Sequence, residues 1–528
     1  MGKISEFYKT ILLIVLSIVL FLGFKKILPD RLFAESLSSD PSMLIDSVLL
    51  DLLDGGELIE ASRVDTSFID HTINDSIGEP AEEYVISIDK THAEDKLLTN
   101  HEKESTLKIK PFKRSNFSRK LEKRRPHLFI PKEGAYYIAE RPIVDTLLDP
   151  TISVQGYGYL QRFYSKLKGL EDGNSGKVRV AYFGDSMNDG DLIVQDFRSL
   201  LQDTFGGNGV GFVSISSLSS ASRGSVYHKH SDWNIQSFIT SKKPTTPFGV
   251  DGQVFLGSNG NWVSYTAGGA KNSPALYNPR LLYGHSDNTN GFINATINKD
   301  TKEKFSLSPL NALNVLSLGG GSAKTVTLNF GNIQSIPIYG LDFSSNTGVH
   351  VDNFSLRGNS GLTLVGLNTG LMNAFDRQLH YDPIVLHYGT NVLNYGSNDY
   401  SFYERGMKAV INKLRMCFPN ADILVISTAD KASKINAKMQ TDPAVISLIK
   451  AQKNFSRETG CGYIDLFNLM GGDGAMVDWV NRKLANTDYT HFNVRGSKEV
   501  GGLLYEELER GYKRYKTQLE RDIKRSDR

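Results

Sequence analysis

From residue 157 onward, short apolar runs alternate with stretches of helical spacing. Tyr159-Leu160-x-x-Phe163-x-x-x-Leu167 repeats every three to four residues and predicts a helix, followed by a Gly-rich turn at 173–176. Val178 to Phe183 is a continuous apolar run, broken only by Arg179, that predicts a buried strand ending in Gly184-Asp185-Ser186. Leu192, Val194, Phe197, Leu200 and Leu201 then resume helical spacing. The same grammar returns later in the chain. Strands are predicted over Pro383 to Tyr388, Ala421 to Ser427 and Tyr463 to Phe467, and helices over Tyr403 to Met416, Ala444 to Thr459 and Lys498 to Tyr515. Such alternation predicts an α/β unit with a parallel sheet covered on both faces, where ligands sit at the carboxyl ends of the strands.

Between these halves, 232–345 follows a period of two. Gln253 to Leu256, Trp262 to Thr266 and Lys324 to Phe330 are β-like runs separated by Gly, Asn and Ser. They predict an antiparallel β-sandwich inserted into the α/β unit, dividing it into 151–231 and 346–515 and leaving a charged tail at 516–528. Trp262, Tyr265 and Tyr277 fit either a sugar-stacking face or ordinary core packing, and core packing is the commoner fate of sandwich aromatics.

The N-terminal pattern is different again. Thr10 to Phe24 is an uninterrupted apolar run with Lys9 before it and Lys25 and Lys26 after it. Ile27 and Leu28 extend it toward the roughly 20 residues of a membrane span, and no small-x-small cleavage site follows. Residues 1–35 therefore predict an uncleaved membrane anchor. Residues 36–97 are acidic and 103–125 basic, so 36–150 reads as a solvated, largely irregular tether. Overall, 60 basic against 58 acidic side chains give a net charge of +2, which excludes bulk affinity for nucleic acid. The two cysteines, Cys417 and Cys461, form no metal-binding motif. Each precedes a predicted strand entered from the same edge, and a disulfide or two buried thiols fit equally.

Chemistry concentrates where strands end. Ser186 follows the first strand, Gly389-Thr390-Asn391 follows the Pro383 strand, Asp488-Tyr489-Thr490-His491 precedes the last helix, and Arg357-Gly358-Asn359-Ser360-Gly361 precedes a Leu-Thr-Leu run. A serine hydroxyl attacks only when a base takes its proton, and the imidazole needs a carboxylate to fix its tautomer. Ser186, His491 and Asp488 supply those three roles. A developing oxyanion needs aimed donors, for which the backbone N–H groups of Ser186 and Gly361 and the Asn391 amide are candidates. Singly, each piece also reads as a turn, a helix cap or a packed histidine. Together, in this order, they read as acyl transfer.

That order of blocks resembles the SGNH or GDSL hydrolase superfamily, with Ser186, Gly361, Asn391 and His491 as its four named residues. The resemblance covers about 157 to 515 and implies a flavodoxin-like three-layer α/β/α core. Phe205 to Phe212, the β-like insert and Met470 to Trp479 resemble the peptidoglycan O-acetylesterase group, in which an inserted carbohydrate-binding sandwich accompanies the hydrolase domain. Met187 stands where that group often has His, and the charged tether is not part of its pattern. The resemblance implies a serine esterase that removes O-acetyl groups from peptidoglycan or another cell-surface polysaccharide and needs no metal or organic cofactor. Its partners would be that glycan and, through the N-terminal helix, the cytoplasmic membrane, with the catalytic domain periplasmic. An O-acetyltransferase using the same triad and an inert polysaccharide-binding scaffold are the alternatives. Other leads fall away: Gly173 to Lys177 lacks the leading Gly and trailing Ser or Thr of a phosphate loop, and there is no G-x-S-x-G elbow. His228-Lys229-His230 has no nearby ligand partners and reads as surface.

Overall fold

The computed structural model describes residues 154–526 except 218, 221–222, 242–243, 300 and 396–397, together with two short antiparallel strands, Ile59–Ala61 and Val85–Ser87. The expected anchor at 1–35 and most of the tether at 36–150 lie outside the described residues. Among the described residues no helix is long and apolar enough to cross a membrane.

The α/β unit is built on one six-stranded sheet. Its strands are β1 (Val154–Gln155), β2 (Lys177–Gly184), β3 (Gly348–Ser355), β4 (Pro383–His387), β5 (Asp422–Ile426) and β6 (Gly462–Ile464). Their order is β3-β2-β4-β5-β6-β1, with β1 antiparallel and the rest parallel. The chain leaves β2 toward one edge and returns to β4 on the other side, the doubly wound arrangement that opens a crevice beyond the carboxyl ends of β2 and β4.

Side-chain alternation along β2 explains the three layers. Val178, Val180 and Tyr182 enter one core, and Ala181 and Phe183 the other. The first face is covered by α1 (Gln161–Glu171), α2 (Val194–Phe205) and α6 (Val494–Ser526). The second is covered by α3 (Thr369–Leu379), α4 (Ser401–Cys417) and α5 (Pro443–Glu458). Local signals set the helix starts: Asn368 caps α3 by accepting the Leu371 N–H at 2.8 Å, and Asp442 caps α5 just ahead of Pro443. The C-terminal residues 516–526, expected as a tail, continue α6 instead. Lys516 reaches Glu171 at 2.7 Å and Gln518 pairs with Asp522, so the last turns gain partners on α1 and along the helix.

The insert consists of two antiparallel sheets sharing one core. One sheet runs through Leu313–Ser317, Arg280–Gly284, Pro337–Phe343, Gln253–Leu256 and Asn234–Ser237, with Gly211–Ser214 also paired to Pro337–Phe343. The other runs through Thr301–Ser306, Phe292–Ile297, Thr325–Gly331, Trp262–Ala267 and Val226–His230. Phe255, Val263, Leu281, Ile293, Leu328 and Ile338 fill the space between them. The β-rich region thus begins at Gly211, ahead of 232. The Gly-rich crossover that leads into it is packed backbone to backbone: a Cβ on Gly209 would sit 2.0 Å from the Phe343 oxygen.

Tyr265 takes the commoner of its two expected settings and the cysteines one of theirs, whereas His228 departs from its own. Tyr265 is 0% exposed and donates its hydroxyl to the Ser214 carbonyl, so it belongs to the core and not to a stacking face. His228 is buried rather than on the surface, because strand alternation turns it inward against Tyr265. Cys417 and Cys461 are both buried and take part in no disulfide.

Candidate active site

Ser186 lies two residues beyond the end of β2. Its neighbour Asp185 is buried, and its carboxylate accepts the Met187 N–H at 2.9 Å as well as the backbone N–H groups of Gly389 and Thr390. This one side chain therefore ties the serine loop to the loop that carries Asn391. Burial pushes the Asp185 carboxyl up to about 6, against the opposing pull of those N–H donors and of His491.

The Ser186 Oγ is 3.0 Å from His491 Nε2, and His491 Nδ1 is 2.9 Å from Asp488 Oδ2. The second Asp488 oxygen accepts the backbone N–H groups of Thr490 and His491, each at 3.0 Å. A tight loop with Tyr489 at φ 55° makes this possible. Burial raises the Asp488 carboxyl, but hydrogen bonds from the His491 ring and from the two N–H groups outweigh it, and the net shift is downward. The side chains of His491 and Asp488 are 36% and 47% exposed, so bulk water reaches the imidazole.

Asn391 is the second residue of the short turn Thr390–Tyr395 after β4 and donates Nδ2 to the Asn359 carbonyl at 3.0 Å. A primary amide carries two such hydrogens, so one remains for a ligand. Gly361 corrects the sequence reading. Its N–H donates to Asn359 Oδ1 at 2.8 Å, an Asx-type turn that spends the hydrogen expected at the oxyanion. Glycine is needed there for another reason: at φ 91°, a Cβ would lie 2.7 Å from the Tyr388 ring. Gly358, also at positive φ, stands just before Asn359 on the same loop.

The supporting residues were not anticipated. Asp191 is buried and binds both ends of the Arg198 fork at 2.8 Å, with Arg223 at 3.4 Å and Ser225 Oγ at 2.5 Å. Asp189 pairs with Arg357 at 2.5 Å and accepts the Ser219 hydroxyl. Ser219, Arg223 and Ser225 precede the Val226–His230 strand, so the start of the insert holds the loop that follows Ser186. That loop ends in a strained γ-turn at Ile193 (φ 62°, ψ −55°), closed by Val194 N–H on the Leu192 carbonyl at 2.6 Å. The Asp189-Gly190-Asp191 cluster was the available sequence signal, but of its basic partners only Arg198 is near in sequence, and Arg223 and Arg357 lie too far along the chain to be matched to it by spacing.

Residues 334–498 match the GDSL-like Lipase/Acylhydrolase family. This stretch therefore carries a GDSL-like hydrolase domain. The chain is accordingly a carboxylic ester hydrolase. A solved peptidoglycan O-acetylesterase shares the fold, with a TM-score of 0.58, 21% identity, and coverage of 68% of this chain and 99% of that one. A family two carbohydrate esterase from Cellvibrio japonicus matches with a TM-score of 0.24 and 12% identity, over 55% of this chain and 98% of that one. No curated protein sequence matches the chain.

Proposed function

We propose that this SGNH hydrolase removes O-acetyl groups from peptidoglycan or a similar acetylated cell-surface polysaccharide, held at the cytoplasmic membrane by residues 1–35 with its catalytic domain periplasmic. The observation that carries the chemistry is the unbroken hydrogen-bond sequence Ser186–His491–Asp488 at the carboxyl edge of the sheet. The choice of glycan is supported by the fold shared with a peptidoglycan O-acetylesterase.

In this reading His491 Nε2 takes the Ser186 proton as Oγ attacks the ester carbonyl carbon. The oxyanion is met by the Ser186 N–H and the second Asn391 amide hydrogen, with the Gly358 N–H replacing that of Gly361 as third donor. His491 returns its proton to the sugar oxygen as the C–O bond breaks, leaving acetyl-Ser186. Water then attacks, giving its proton to His491. Collapse of the second tetrahedral adduct releases acetate and restores the Ser186 hydroxyl. Asp488 holds the imidazole in the tautomer with Nδ1 protonated throughout. Exposure of His491 favours hydrolysis over transfer, because an acyltransferase must keep water from its acyl-enzyme.

The test is acetate release from O-acetylated peptidoglycan by the wild type and by Ser186→Ala. Release by the wild type alone is expected. Acetyl transfer to a glycan oligomer in large excess over hydrolysis would overturn the esterase reading, and equal slow rates in both proteins would favour an inert scaffold.

A further inference from the structure

Between β5 and α5, at the sheet edge that carries Ser186 and Asn391, the chain forms a small hairpin. Ala432–Ile435 pairs with Lys438–Thr441, and the turn passes through Asn436 (φ 50°) and Ala437 (φ 65°). Two central residues at positive φ make a tight turn matched to the twist of its strands.

The base of the hairpin is fastened to the catalytic loop. Ala432 donates its N–H at 3.0 Å to the carbonyl of Tyr489, which lies between Asp488 and His491 in sequence. Asp430 anchors both arms by accepting the Met476 N–H at 2.7 Å and the Thr441 hydroxyl at 3.1 Å. The hairpin is thus held in place relative to His491.

Its charge is one-sided. From 431 to 441 the sequence holds Lys431, Lys434 and Lys438 and no acidic residue. The flanking acids are already engaged, Asp430 in the anchor and Asp442 as the cap of α5. Lys434 and Lys438 are exposed, and neither forms an ion pair among the described residues. Lys431 is half-buried at the base, in the field of Asp442 and Asp488.

We infer that this hairpin is a substrate-gripping arm, with Lys434 and Lys438 holding carboxylates of an anionic glycan while its acetyl ester lies at Ser186. Ammonium groups on flexible stems suit carboxylates scattered along a polymer, since they act as point charges without demanding one geometry. The arm would raise the local concentration of acidic polymer at the site and leave the chemical step untouched. This inference rests on the esterase reading above and narrows its substrate to acidic glycans.

The experiment uses the full chain and the double variant Lys434→Glu/Lys438→Glu on three probes: O-acetylated peptidoglycan, neutral acetylated xylan and p-nitrophenyl acetate. The variant is expected to raise KM for acetylated peptidoglycan about tenfold at low salt with kcat unchanged, the difference fading near 1 M NaCl as exposed charges are screened. Lys434→Gln/Lys438→Gln should fall between. Unaltered kinetics on p-nitrophenyl acetate show that both variants are folded. An unchanged KM on peptidoglycan, or an equal rise on neutral xylan, overturns the arm alone. A wild type that cleaves p-nitrophenyl acetate but neither polymer overturns the glycan reading itself.

Discussion

The amide Nδ2 of Asn391 donates to the main-chain oxygen of Asn359 at 3.0 Å, so the loops after β3 and β4 are locked together at the site. The Asn359 side chain completes the lock by accepting the Gly361 N–H at 2.8 Å and the Thr363 hydroxyl at 2.9 Å. Asn391→Ala removes the proposed oxyanion donor and is expected to lower kcat about 10²- to 10³-fold with little change in KM. Asn359→Ala keeps the carbonyl but frees the Gly361 and Thr363 donors inside a buried turn. It should lower kcat roughly tenfold and also reduce thermal stability, by about 1–3 kcal/mol for the unpaired groups. Steady-state kinetics and melting curves on both variants separate the direct donor from the residue that positions it.

Within the proposed triad the losses should be unequal. Ser186→Ala is expected to cost about 10⁴-fold or more in kcat on an acetyl ester. Asp488→Ala should cost about 10³-fold, since it removes the partner of Nδ1 yet leaves a site where water substitutes in part. The Asp488 carboxyl is held below its ordinary 3.8, so its support of His491 is present above that value and fades only as pH falls through the depressed one. Raising the pH from 5 to 8 should therefore leave the wild-type to Asp488→Ala rate ratio free of any Asp488 titration step.

Much of this site was legible because strand ends and chemistry coincide. The Val178 run, the Pro383 run and their trailing Gly-Asp-Ser and Gly-Thr-Asn are local signals, and Asp488 with His491 fits on one loop. Gly361 was misread because sequence shows a glycine but not whether its N–H is free, and Asn359, two residues before it, captures that hydrogen. The hairpin at Ala432–Thr441 was unread since its turn is Asn-Ala, without the glycine that marks such turns, and its strands are too short for a period. Likewise His228 looked external because its partner in burial, Tyr265, belongs to another strand.

Two pairs of buried carboxyls pull stability in opposite directions as pH changes. Asp185 and Asp251 are raised to about 6, chiefly by burial, so their contribution is complete below 3.8 and is lost as pH rises through 6. Asp191 and Asp342 are lowered: burial opposes ionisation, but Arg198 and Arg223 around Asp191, and Arg179 and Arg280 around Asp342, outweigh it. Their contribution is present above 3.8 and lost as pH falls below it. Asp251→Asn should remove the fall in melting temperature that Asp251 contributes between about pH 4 and 6, and a pH dependence in that window equal to that of the wild type would refute the assignment.

The junction of insert and hydrolase rests on Arg179, in the middle of β2 and 1% exposed. Its Nε and Nη2 grip Asp352 of β3 at 2.7 and 3.0 Å, and Nη2 also meets Asp342 of the insert's last strand at 2.5 Å. Asp342 keeps a second cation, Arg280 at 2.5 Å, whereas among the described residues Asp352 keeps only the neutral donors Tyr381 hydroxyl and Phe212 N–H. Arg179→Met therefore strands the Asp352 charge in a dry interior. The expected cost is about 3–5 kcal/mol and roughly 10 °C in melting temperature. Arg179→Met/Asp352→Asn removes the stranded charge too and should recover much of that loss, since deleting both members of a buried pair is cheaper than deleting one. Arg280→Met, on the solvent side of the same cluster, should cost only about 1 kcal/mol. Denaturant melts of the three variants test the ranking, and a double variant no more stable than Arg179→Met would show that the arginine acts through packing rather than charge.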